Sequence, residues 1–113
     1  MPTKTNLSEL DCFNDLELIL QEELLTNLTG KSPADLRKDL QSNSRKVYFL
    51  YEIVDYLRGA YNDEGIKRWF QRERTLLEGK SPLGYLGLTW NPDGEEAKRV
   101  LELAKSSIDS GAT

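Results

Sequence analysis

Leucine sets the rhythm of the first third of the chain. Leu16, Leu20, Leu24 and Leu28 recur every four residues with Ile19 and Leu25 beside them, which lays one apolar stripe along a helix. Asn14 followed by Glu17 offers an N-cap with its reciprocal partner, and Gly30 stands where glycine stops a helix. Residues 1–13 read as a mostly polar lead-in, ordered only if Leu7, Leu10 and Phe13 dock on the core. Ser32, Pro33 and Asp35 then cap and open a short helix with Leu36 and Leu40 on its buried face. After a polar link, Gln41-Ser42-Asn43-Ser44, the residues Val47, Leu50, Tyr51, Val54, Leu57 and Tyr61 fall at i, i+3, i+4, i+7 spacing. They predict the longest helix, over 44–60.

Asn62-Asp63 ends that helix and starts another, on which Ile66, Trp69 and Phe70 share a face. Gly79-Lys80 makes a turn, Ser81-Pro82 opens a helix that Gly84 and Gly87 keep short, and Asn91-Pro92-Asp93-Gly94 turns the chain again. A last helix carries Ala97, Val100, Leu101 and Ala104 on one face with Ile108 a turn further on, and Gly111 ends it. No stretch shows β-branched alternation. The expectation is an all-α protein, a small bundle of five or six helices. Residues 1–43 form a helical hairpin that can be laid on a degenerate helix-turn-helix, and 44–113 form a second helical region.

Composition narrows the classes. At 113 residues, with 38% hydrophobic and 30% charged side chains, the chain makes one small folded domain whose core gains from a partner, either a second copy or another protein. A net charge of −4 argues against non-specific nucleic-acid binding, which rests on neutralising phosphates. The charge is uneven, however. Lys4 is the one base among the first thirty residues, against Glu9, Asp11, Asp15, Glu17, Glu22 and Glu23, whereas residues 31–80 hold eleven bases against eight acids. Cys12 stands alone and there is no histidine, which removes a disulfide, the commonest general base and any zinc site, so no metal or cofactor is expected. No apolar leader or bilayer-length segment is seen, pointing to a cytoplasmic protein without a membrane partner, in which the sequon Asn27-Leu28-Thr29 is chance.

Three motifs carry a functional reading beside a plainer one. Gly-Lys-Ser occurs at Gly30-Lys31-Ser32 and Gly79-Lys80-Ser81, but a phosphate-binding loop needs a further glycine where Leu25 and Arg74 stand, so both read as helix stops and caps. Residues 22–41 fit a helix-turn-helix with Gly30 at the turn and Lys31, Arg37 and Lys38 as candidate DNA contacts, although Asp35 and Asp39 cancel the charge of the second helix. Lys67, Arg68, Arg72 and Arg74 surround Trp69 and Phe70, either as a single-strand nucleic-acid platform or, on the shared helix face, as a basic rim around core rings. The acids Asp11, Asp15, Glu17, Glu22 and Glu23 are spread over a solvated face, and nothing supplies a nucleophile with a base and an orienting group. The chain reads as non-enzymatic.

Trp69, then Leu77-Glu78-Gly79-Lys80-Ser81-Pro82, Leu83 and Leu86, then Trp90-Asn91-Pro92-Asp93 and Val100-Leu101-Glu102-Leu103-Ala104 form one ordered pattern. It resembles the toxin-binding domain of the Xre/MbcA/ParS family of antitoxins, over residues 62–110. Glu73-Arg74 replaces the Pro-Asn that many members carry after the tryptophan, as in a variant with a Trp-x-Pro-Asp turn. The resemblance assigns Trp69, Phe70, Gly79, Ser81, Pro82, Leu86, Trp90 and Val100 to the structural motif. It implies a helical antitoxin, often dimeric, that binds a RES-fold toxin consuming NAD or transferring ADP-ribose and obstructs the toxin's active site with its C-terminal end. Carried onto this chain, the partner-binding residues are Arg72, Arg74, Lys105, Ile108, Asp109, Ser110, Gly111, Ala112 and Thr113. The alternative expectation is a small helix-turn-helix regulator that represses its own operon through Lys31, Arg37 and Lys38.

Overall fold

The first apolar stripe begins a turn earlier than its leucines suggest. Cys12 and Phe13 are buried with Leu16, Ile19 and Leu20, so the chain is already helical at Glu9, and helix α1 spans Glu9–Thr29. Asn14 therefore lies inside α1 and caps nothing; its Oδ1 instead accepts a hydrogen bond from Arg37 Nη1 at 3.1 Å. Of the three residues expected to dock, Phe13 does, Leu10 stays exposed, and Leu7 lies outside the described residues, which are 9–87 and 90–110 of a computed structural model. α1 breaks at Gln21, whose backbone takes φ 66° and ψ 170°, so two helical segments share one stripe. Thr29 closes its end by donating its hydroxyl to the Leu25 carbonyl at 2.9 Å, and Gly30 then turns the chain at φ 77°.

α2 (Pro33–Lys38) starts as expected, with Ser32 Oγ accepting from the Asp35 N–H and Pro33 in the first turn. The polar link does not exist. Asp39 alone separates α2 from α3 (Leu40–Leu57), closing α2 by donating its N–H to the Leu36 carbonyl and capping α3 by accepting from the Ser42 N–H. Residues 41–44 are thus helical, because one aspartate serves both helix ends and Leu40 packs on the core. The boundary expected between 43 and 44 falls inside α3, and one buried cluster runs from Cys12 to Ala104 across both expected units.

α3 stops at Leu57 and turns through 58–60, and Asn62 caps α4 (Asp63–Gln71) by accepting from the Gly65 N–H at 2.8 Å. A 3₁₀ turn (Thr75–Leu77), α5 (Pro82–Leu86) and α6 (Glu95–Ser110) follow. α3 packs against both α1 and α6, while α4 joins α1 to α5. The six helices make a small all-α bundle; among the described residues the one extended pairing is an isolated bridge between Arg74 and Lys80. No helix among them is long and apolar enough to cross a membrane.

Candidate partner-binding surface

The surface is shaped by the stretch after α4. Trp69 and Phe70 enter the core together, edge to face with ring centroids 5.2 Å apart. The chain then leaves the helix extended, and Arg74 anchors a tight loop. Its N–H donates to the Lys80 carbonyl at 3.1 Å, while its own carbonyl accepts from the Leu77 and Gly79 N–H groups. Two successive left-handed residues, Glu78 and Gly79, close the loop, and Ser81 Oγ caps α5 by accepting from the Gly84 N–H at 3.0 Å. Ser32 and Ser81 thus do the same job behind the same Gly-Lys pair, each capping a short helix.

That loop decides which of two adjacent leucines is buried. Leu77 points into the core and Leu76 is 72% exposed. Beside Leu76 lies a groove of about 620 Å³ whose apolar wall also includes Leu101 and Leu103 of α6. Glu95, Lys98, Arg99 and Glu102 form its charged rim. Leu101 was expected in the core with Val100 and Ala104; Leu103 is buried instead, and Leu101 is left half-buried at the groove.

Trp90 fixes where α6 begins. Its ring packs 5.3 Å from Phe49, Lys46 Nζ sits 5.1 Å from its centroid, and its indole N–H donates to the Leu28 carbonyl. Burial, and then the charge of Lys31, hold the Lys46 ammonium below its ordinary pKa. The following turn forms as expected, with Asn91 Oδ1 accepting from the Asp93 N–H and the Asn91 carbonyl accepting from the Gly94 N–H. Arg45 of α3 ion-pairs with Asp93 and ties the turn down.

Of the residues expected to bind a partner, three have described side chains: Arg72, Arg74 and Lys105. Arg72 and Arg74 border a separate cavity of about 160 Å³, with Tyr61, Gly65, Arg68 and Trp69. Arg74 is not paired with Glu73, Glu78 or the first helix; its guanidinium lies 5.1 Å from the Trp69 ring centroid, with Nη2 3.5 Å from the Trp69 carbonyl. Burial lowers the Arg74 pKa; Tyr61 opposes that shift and Arg72 adds to it. Lys105 faces back onto α3, with Nζ 5.8 Å from the Tyr56 ring. The α6 backbone is helical through Ile108, Asp109 and Ser110, whose side chains lie outside the described residues, as do Gly111, Ala112 and Thr113 altogether.

The residues proposed to contact DNA are placed no better for that role. Lys31 and Lys38 are exposed, but Arg37 is turned onto α1, ion-paired with Glu17, bonded to Asn14 and stacked 4.7 Å over the Phe13 ring. α2 is six residues long. Burial of Trp69 and Phe70 leaves the basic residues around them no ring on which a base could stack. Much of the basic middle of the chain folds onto the acidic first helix: Arg37 on Glu17, Arg58 on Asp15 at 3.2 Å, and Lys67 on Gln21 at 2.9 Å. These contacts are solvent-exposed and serve orientation more than stability.

Leu76 is the surface residue that periodicity does not find, because it belongs to a 3₁₀ turn where the 3.6-residue rule lapses. Its one signal is the doubled leucine before Glu78-Gly79, of which only one member can face inward. Among the described residues no cluster of His, Cys, Asp or Glu is arranged to hold a metal ion. No protein-family model, curated protein or solved structure matches the chain.

Proposed function

We propose that this chain is a non-enzymatic binding protein of the antitoxin kind, which neutralises a RES-fold toxin by docking α6 and the residues after it at the toxin's active site. The observation that carries the reading is the exposure of Leu76 beside the groove along α6, within the region that resembles the antitoxin domain. Exposed apolar surface rimmed by charge is characteristic of a protein interaction site. α6 is held to the core by Ala97, Val100, Leu103 and Ala104, which leaves Lys98, Arg99 and Glu102 facing outward for a partner to read. The partner supplies an apolar segment to the groove, a mode in which a few helix-spaced anchors provide most of the affinity.

The test is co-expression with the product of the adjacent gene, using the full chain, a chain ending at residue 107, and Leu76→Lys. The full chain is expected to rescue growth, and both variants to lose most of that rescue while keeping the wild-type circular dichroism melt. A harmless neighbouring product, or complete rescue by both variants, overturns the reading.

A further inference from the structure

We infer that the free chain pairs with a second copy of itself along the groove, its two α6 helices lying antiparallel about a two-fold axis beside Leu101. The order of charge on α6 is the motivating observation. Glu95, Lys98, Arg99 and Glu102 are exposed on the groove rim and run acid, base, base, acid over about two helical turns. Glu95 and Glu102 each stand three and four residues from the two bases, the spacings at which ion pairs close within a helix. None closes here. Among the described residues these four side chains hold no ion pair or hydrogen bond, whereas Glu64 and Lys67 on α4, three residues apart, meet at 3.3 Å. Charge of both signs is therefore left for a second surface, beside an exposed Leu76 and a half-buried Leu101.

The pattern is self-complementary in one register. A two-fold contact sets residue i against j and j against i. With the axis between residues 100 and 101, Arg99 of each copy faces Glu102 of the other, so one ion pair is made twice. Glu95 then meets the neutral Ser106, and the two copies of Leu101 lie together at the axis. Slipping by one turn towards the N-terminus sets Glu95 on Glu102 and Lys98 on Arg99, and slipping the other way sets Glu102 on itself. Like charges across an interface cost more than exposed pairs gain, so the rim selects the register. The leucines supply the attraction, since Leu76 and Leu101 leave water together. α6 has 16 residues and spans about 24 Å, so the contact lies at the small end of specific interfaces and the dimer is weak and concentration-dependent. Pairing and the toxin docking proposed above use the same face and exclude one another.

Sedimentation equilibrium of the full chain, from about 5 to about 500 μM, tests the pairing. The wild type is expected to pass from monomer to dimer across that range. Arg99→Glu sets acid on acid twice in the pair and Glu102→Arg sets base on base twice, so each variant alone is expected to dimerise at least about tenfold more weakly. An equimolar mixture of the two is expected to recover the wild-type affinity as a one-to-one heterodimer, because each copy then brings the charge that the other lacks. Both side chains are exposed, and each variant is expected to keep the circular dichroism melt of the wild-type monomer. A wild type that stays monomeric, single variants that dimerise as well as the wild type, or a mixture no more dimeric than its components would each overturn the inference. The free chain alone is measured, so loss of the dimer leaves the toxin reading to its own co-expression test.

Discussion

Trp90 donates its indole Nε1–H to the carbonyl of Leu28 at 2.6 Å, across 62 positions of sequence. Leu28 is in the last turn of α1, where carbonyls have no partner within the helix, so one tryptophan both fills core volume and satisfies a helix end. Trp90→Phe keeps a ring against Phe49 but strands that carbonyl, at an expected cost of about 1–3 kcal/mol. Trp90→Ala removes the ring as well and is expected to cost about 3–5 kcal/mol. Urea denaturation of both variants checks the order; equal losses would mean that the hydrogen bond contributes nothing beyond packing.

Trp69 is buried against Phe70 and carries the Arg74 guanidinium on its face. Trp69→Ala is expected to destabilise by about 3–5 kcal/mol, a large share of what a domain of this size possesses. Loss of the ring also frees Arg74, so the variant should lose protection of the Gly79 amide, which donates to the Arg74 carbonyl. Hydrogen exchange reads that local loss separately from global unfolding. A wild-type melt would contradict the burial.

The two capping serines provide an internal comparison. Ser32 and Ser81 each follow Gly-Lys, precede Pro and accept an N–H three residues on. Ser32→Ala and Ser81→Ala are each expected to cost about 1 kcal/mol, and the double variant the sum, because the caps share no partner. Thermal melts of the three variants test this, and strong non-additivity would show that α2 and α5 are coupled through the core.

What was legible in the sequence is what obeys a local rule. Leu16, Leu20, Leu24 and Leu28 mark α1, Val47 to Leu57 mark α3, and Ser-Pro after Gly-Lys marks α2 and α5, each by period or cap chemistry. The parts that periodicity missed are set by contacts distant in sequence or by irregular backbone. Asp39 joins α2 to α3 only because Leu36 and Leu40 both reach the core, which makes a one-residue link sufficient. Arg37 looks like a DNA contact in one dimension and is spent on Glu17 in three. Leu76 faces out because Glu78 and Gly79 take left-handed conformations, and the sequence-derived partner set omitted it for that reason. Arg72 and Arg74 do border one cavity, but Tyr61 and Gly65, which also line it, come from before and early in α4.

Gln21 holds φ 66° and ψ 170° in the middle of α1, a region that residues with a Cβ rarely occupy. Neither a glycine nor a proline marks the position, and Leu20 and Leu24 on either side of it are both buried. Gln21→Gly removes the steric strain and loses one exposed bond, from Lys67 Nζ to Gln21 Oε1. The balance is an expected gain of about 1 kcal/mol after the entropy of an unfolded glycine is counted. Gln21→Ala keeps the strain and should show no such gain. A lower melting temperature for the glycine variant than for the alanine one would show that the backbone there is regular in solution.

Cys12 gives the stability a pH dependence whose sign can be worked out. Burial, then Asp15 and Asp11, push the folded thiol above its ordinary value of 9.0. The unfolded chain therefore releases this proton first, and each thiolate it forms draws the equilibrium away from the fold. The contribution is whole below pH 9 and is lost as pH rises through the folded value. Tyr51, raised by burial above 10.0, repeats the pattern at higher pH. Lys46 works in the opposite sense: its pKa is lowered from 10.5 by burial and then Lys31, so its contribution is complete only above 10.5 and declines as pH falls. Tyr51 and Lys46 are present in both wild type and Cys12→Ala, so the comparison removes most of their background, with Tyr51 losing only the last and smallest of its causes, the charge of Cys12. The urea midpoint of the wild type is expected to fall between pH 8 and about pH 9.5, and that of Cys12→Ala to fall less steeply from a slightly lower start. Parallel slopes would assign the alkaline loss to other groups and leave Cys12 as a packing residue alone.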